Sequence, residues 1–170
     1  MDDLIYNQRK IPRDKWRYGF RTSAATGCGW IAVYNALRLM GYRVEPEKLI
    51  RYFERQLPLL HGNIGTLIPA PAIYFRQQGF GVSISARREN FNEIVNQSDV
   101  CVLFYRWHEK WALGAHFVTL HKKDGQIVGY NTYRNSQGPD VYGTDLNAFL
   151  KSRRYYLPVL IGIRDKKRHP

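Results

Sequence analysis

Apolar residues return at three- and four-residue intervals from position 28 onward. Ile31, Tyr34, Leu37 and Met40 fall on one helical face, which predicts a helix from Cys28 that Gly41 ends as a C-cap. Pro46 suits a first helical turn, and Leu49, Ile50 and Phe53 carry the pattern into a second helix. A third is expected from Thr66, as its cap, to Gln78, with a stop at Gly79. Its Pro69 fits the first turn, whereas Pro71 lies deeper. Val82-Ser83-Ile84-Ser85 alternates as a strand does, and Asn90 with Glu93 reads as a capping box for a short helix.

Beyond residue 99 the period changes. Val100–Tyr105 reads as a buried strand and Ala115–Leu120 as another. Asp124-Gly125 supplies a hairpin turn, from which Gln126–Tyr130 returns antiparallel. A short helix from Thr144 through Leu150 and a last strand over Tyr156–Ile163 complete the order. Residues 1–27 read as irregular and 164–170 as a basic tail of one domain spanning 1–170. Helices first and an antiparallel sheet afterwards predict an α+β fold, with a cleft between an N-terminal helical half and a C-terminal sheet half.

Charge and cysteine usage narrow the function classes. The 170 residues carry a formal net charge of +12, which favours anionic partners or serves solubility alone. Two cysteines are too few for a disulfide framework. The acidic start Met1-Asp2-Asp3 does not resemble a signal peptide, and no apolar run reaches the roughly 20 residues a membrane span needs. A cytoplasmic protein without membrane contact is the expectation. No zinc spacing, phosphate loop or dinucleotide fingerprint occurs, so neither metal nor cofactor is expected.

Cys28 stands where small residues give way to a helix. A thiol there meets free backbone N–H groups and the positive end of the helix dipole, so its pKa is expected below the free value of about 8.5. Gly27 and Gly29 flank it and are expected to leave room for a substrate backbone. Cys101, alternating inside a strand, reads as buried filler. A thiol nucleophile needs a proton carrier. His61 precedes a turn, His108 lies in a polar connection, and His169 is close to the end of the chain. His116 opens a strand and shares its face with Val118 and Leu120, while His121 falls on the opposite face, so the two cannot share a metal. Across the hairpin, Asn131 falls nearly opposite His116. Its side-chain oxygen is expected to accept the imidazole N–H, although an asparagine at a strand end also serves as a turn residue.

Gly27-Cys28-Gly29 opening a helix, His116-Phe117-Val118 on a strand and Tyr130-Asn131 on the next resemble the papain-like cysteine peptidase clan. The nearest branch is the small bacterial one that includes the bacteriocin leader peptidases. The order of elements agrees over about residues 22–163. The resemblance implies a papain-like fold and a cysteine hydrolase, with Cys28 as nucleophile, His116 as base and acid, and Asn131 as orienter. Its substrate would be a peptide or other amide. That family places Gln six residues before the nucleophile to build the oxyanion hole; here Thr22 stands there. Gln8 can serve if residues 9–21 loop out; otherwise Thr22, Ser23 or backbone N–H groups must. An inactive binding module of the same fold is the alternative that Thr22 favours. A third reading is nucleic-acid binding, since residues 9–21 interleave six Lys/Arg with Trp16, Tyr18 and Phe20. It is disfavoured against rings that pack on the body or line the cleft, where the bases would suit an acidic substrate.

Overall fold

The computed structural model describes residues 4–56, 65–109 and 112–168. Six helices are present among them: α1 (Ser23–Thr26), α2 (Cys28–Leu39), α3 (Pro46–Arg55), α4 (Ala70–Gln77), α5 (Phe91–Gln97) and α6 (Leu146–Ser152). β1 (Arg17–Tyr18) and β2 (Arg21–Thr22) form a small hairpin. The main sheet holds β3 (Gly81–Ser85), β4 (Val100–Glu109), β5 (Ala112–Lys123), β6 (Gln126–Tyr130), β7 (Asp140–Gly143) and β8 (Tyr156–Arg164). Its order is β3-β8-β4-β5-β6-β7, and every neighbour pair is antiparallel. This is the expected mixture of helices and antiparallel sheet. The expected division into halves is not kept, because β3 from the early part of the chain adds to the sheet through the last strand.

Period-two alternation gives the sheet a core on each face. Val100, Val102, Phe104, Phe117, Ile161 and Ile163 pack with α2, α3 and α4. Cys101, Leu103, Tyr105, Val118, Leu120 and Leu160 pack with α5 and α6. Helices therefore cover both faces rather than one. α2 is buried from Gly29 to Leu37, because it lies between the sheet and α3 and α4. A helix enclosed in this way needs its polar side chains satisfied. Asn35 clamps the extended N-terminal segment, accepting from Ile5 N–H and donating to the Ile5 carbonyl, both at 2.9 Å. The buried Thr119 hydroxyl on β5 donates to the Ala32 carbonyl of α2 at 2.9 Å.

Several ends differ from expectation for local reasons. Thr66 does not cap α4, because its hydroxyl is engaged with the Tyr18 hydroxyl at 3.0 Å. The helix starts at Ala70, which puts Pro71 in the first turn, where its missing N–H costs nothing. Asn90 already has helical φ and ψ, so no capping box forms; Glu93 instead accepts from Gln97 at 3.0 Å. Asp145, not Thr144, begins α6 and accepts from the N–H groups of Asn147 and Ala148. β4 and β5 run beyond the buried segments because their ladder continues through Arg106↔Ala115 and Trp107↔Gly114. The Asp124-Gly125 turn has φ of 51° and 78°, as a type I′ hairpin requires. The 164–170 segment is not a loose tail as far as it is described. Arg164 ends β8, and buried Asp165 accepts from Tyr42 Oη at 2.8 Å.

The β6–β7 edge closes on a glycine. A Cβ at Gly129 would come within 2.6 Å of the Tyr142 ring and 2.8 Å of Thr132 Oγ1. Tyr142 cannot retreat, since it stacks on Phe149 with centroids 3.7 Å apart. Gly129→Ala is expected to destabilise the protein by about 1–3 kcal/mol in urea unfolding. Gly138→Ala, where nothing lies near, should stay within about 0.5 kcal/mol.

Candidate active site

β5 is longer than β6, and their register stops at Thr119↔Tyr130. The part of β5 before Thr119 thus has no β6 partner, and the N-terminus of α2 lies over this open edge. The Phe117 N–H faces the Cys28 sulfur there, together with the N–H groups of Gly29 and Cys28 itself. Beside this edge lies a cleft of about 640 Å³. Cys28, His116, Asn131 and Gln8 all line it.

The two glycines beside Cys28 serve packing and not substrate access. A Cβ on Gly29 would fall on the Thr66 side chain, and one on Gly27 would lie 2.6 Å from the Ser23 carbonyl. Thr66 reaches α2 because Gly29 is bare, and it holds Tyr18 of the β1–β2 hairpin in turn. Residues 9–22 do loop out, as a 3₁₀ turn (Gln8–Lys10) followed by that hairpin. Gln8 consequently returns to the cleft.

His116 does not meet the Asn131 side chain. Its Nε2 donates to the Asn131 backbone carbonyl at 2.6 Å. A carbonyl only accepts, so Nε2 carries the proton and Nδ1 is the basic nitrogen. Asn131 lies two residues out of register with His116, and its φ of 60° turns the carbonyl back towards the ring. The same turn sends the side chain to Gln8. Asn131 Oδ1 accepts from Gln8 N–H at 2.8 Å, and Nδ2 donates to Gln8 Oε1 at 3.0 Å. Gln8 Nε2 donates to the Ala24 carbonyl at 3.1 Å, which leaves its second proton free. Of the other oxyanion candidates, Ser23 is fully buried and accepts from Trp30 Nε1 at 3.1 Å, and Thr22 precedes α1. Neither lines the cleft.

The electrostatics also depart from expectation. Burial pushes the Cys28 thiol up, and the surrounding backbone N–H groups only partly pull it back. Burial lowers His116, against the opposing effect of its carbonyl partner; Tyr105 and Trp107 stand edge-on to its ring at 6.2 and 6.4 Å. Both shifts favour the uncharged forms, the thiol at Cys28 and the imidazole at His116. The helix end favours thiolate as expected, but desolvation outweighs it.

No protein-family model matches the chain, and no curated protein aligns with it significantly.

Among the described residues three arginines line the cleft, Arg9, Arg134 and Arg153, and no acidic residue does. Nothing in the local sequence singles out Arg134 or Arg153. Their approach depends on Asn7, whose Nδ2 donates to the Arg134 carbonyl across 127 residues, a pairing that no local pattern signals. The ring-and-base segment behaves otherwise than a cleft wall. Beyond Arg9 it packs on the body: Ile11 and Tyr18 are buried, and Trp16 meets Trp30 edge-on and donates to Glu47. Only Phe20 among its rings is exposed. Among the described residues no three metal-ligating side chains gather, and no helix is long and apolar enough to cross a membrane. His61 and His169 lie outside the described residues, as does the side chain of His108. His121 is on the other sheet face from His116, sharing its face with Phe117, and its Nδ1 has no partner among the described residues.

Both cysteines are free. Burial pushes the Cys101 thiol up to about 12. Iodoacetamide mapped by peptide mass is expected to modify Cys28 long before Cys101. The Cys28 rate should still be climbing above the ordinary thiol range of about 8.5. A plateau already reached below neutrality, or faster labelling of Cys101, contradicts this electrostatic account.

Proposed function

We propose that the protein is a papain-like cysteine hydrolase acting on amide bonds. The observation that carries this reading is the convergence of three groups on one cleft. They are a thiol at the start of a buried helix, a histidine whose tautomer a carbonyl fixes, and a glutamine amide with a free proton. Cys28 Sγ attacks the substrate carbonyl carbon as its proton passes to His116 Nδ1, so charge forms only with the new C–S bond. The oxyanion is met by Gln8 Nε2 and by the backbone N–H of Cys28. His116 then protonates the leaving amine and the C–N bond breaks. Water, deprotonated by His116, attacks the thioester and returns the thiol.

In this scheme Asn131 orients His116 through its carbonyl and Gln8 through its amide. The inactive-module alternative drew on Thr22 standing where the family has glutamine. Gln8 brings such an amide to the cleft from another place in the chain, which weighs against it. Nucleic-acid binding by stacking loses its rings, because those of residues 9–21 pack inward except Phe20.

Turnover of a peptide amide library by mass spectrometry should vanish in Cys28→Ala and in His116→Ala. Gln8→Ala is expected to lower kcat by about 10²–10³, the usual cost of one oxyanion donor. Ser23→Ala should leave kcat near normal while reducing stability, because Trp30 Nε1 loses its acceptor. Equal kcat losses for Gln8 and Ser23 variants would contradict the assignment.

The pH profile follows from the neutral pair. Acid inactivates by protonating His116, whose pKa lies below the ordinary value of about 6.5. Alkali removes the Cys28 proton needed for the leaving amine, above the ordinary thiol value. kcat/KM should therefore stay flat between about pH 6.5 and 8.5. A bell with its alkaline limb centred near neutrality would indicate a preformed ion pair instead.

A further inference from the structure

We propose that the cleft selects peptides bearing carboxylates beside the reacting amide, with Arg9, Arg134 and Arg153 as the selecting residues. The proposal rests on the hydrolase reading for what happens to the bound peptide, but not for its binding. Two of the three arginines are brought to one rim by a buried clamp. Asn7 is only 6% exposed. Its Oδ1 accepts from Arg9 N–H at 3.0 Å, and its Nδ2 donates to the Arg134 carbonyl at 2.8 Å. The N-terminal segment and the loop after β6 are thereby joined with a cation on each.

Arg153 follows α6. Its guanidinium lies over the Tyr133 and Phe149 rings at 5.6 and 5.8 Å, which restricts its conformations. Among the described residues no carboxylate lines the cleft wall, so none of them sets a counter-charge beside the three positive charges there. A cleft of one sign with low-dielectric walls concentrates ligands of the other sign. Guanidinium forks bind carboxylates in a bidentate manner, so an acidic peptide fits this chemistry. A nucleic acid strand fits less well. Stacking needs open ring faces, and here Tyr105 is stacked on Tyr155 with centroids 4.1 Å apart, while the Trp107 ring covers Gly114.

The test reads the cleft charge through Cys28 without requiring turnover. Iodoacetate and iodoacetamide deliver the same reaction with and without a negative charge. Their rate ratio at Cys28 is measured in the native protein and in a short Gly-Cys-Gly-Trp peptide. We expect the ratio to be on the order of tenfold higher in the protein at low salt. It should fall towards the peptide value at about 1 M salt and in an Arg134→Gln/Arg153→Gln variant. Glutamate-containing peptides should then protect Cys28 from iodoacetamide better than their glutamine counterparts. A ratio equal to the peptide's, or equal protection by both peptides, overturns the proposal. So does a single-stranded oligonucleotide that protects at lower concentration than the acidic peptide. Absence of turnover with a raised ratio would overturn the hydrolase reading and leave the acidic preference standing.

Discussion

Asn131 holds φ at 60°, a conformation that costs an ordinary residue of order 1 kcal/mol and that asparagine tolerates better than most. Everything around the cleft is arranged through that one turn. In the extended conformation its carbonyl would continue the β6 ladder, and its side chain would stand on a sheet face. In the left-handed one the carbonyl meets His116, and the amide meets both the backbone and the side chain of Gln8. The strain is held in place by three hydrogen bonds, each to a different group. Loss of the residue would therefore disturb the histidine and the glutamine together, which share no contact of their own in this network.

Cys28 is held by a second set of constraints, all steric. The bare Gly29 admits Thr66, and Thr66 anchors Tyr18 and with it the hairpin that separates Gln8 from the helix. Thr119, three positions from His116, is bonded to Ala32, four positions from Cys28. The helix that carries Cys28 and the strand that carries His116 thus cannot slide against each other without breaking a buried hydrogen bond. Enclosure of α2 gives this rigidity, and it also desolvates the thiol. The position that fixes the Cys28 thiol is the same position whose burial pushes its pKa up.

What the sequence reveals follows contact range. The α2 face, the Asp-Gly turn and the return of β6 along β5 rest on spacings of a few residues, and these are read correctly. The capping role given to Thr66 fails because a distant partner, Tyr18, engages its hydroxyl, and that given to Asn90 fails because its backbone is already helical. Asn131 is rightly brought near His116 by hairpin counting. Counting residues does not reveal a positive φ, so which of its atoms faces the ring is read wrongly. Gln8 is legible only as a candidate, since its return depends on how residues 9–22 fold. The Asn7 clamp that gathers the arginines has no signal in the sequence at all.

Recognition and activation are separated in the proposed reaction. Three arginines beside a thiol would ordinarily depress its pKa and give a reactive thiolate. Here what moves Cys28 is burial and nearby backbone N–H groups, while Arg9, Arg134 and Arg153 are exposed at the rim. Charges placed in solvent are screened from a half-buried sulfur and remain available to a ligand entering from solvent. A neutral thiol resists oxidation and stray electrophiles, because the thiolate is the reactive form. Ionisation is then deferred until a bound carbonyl accepts the electron pair and Gln8 can meet the charge. An acidic ligand that covers the arginines would also close the cleft to water. That strengthens the Cys28–His116 interaction at the moment charge develops between them.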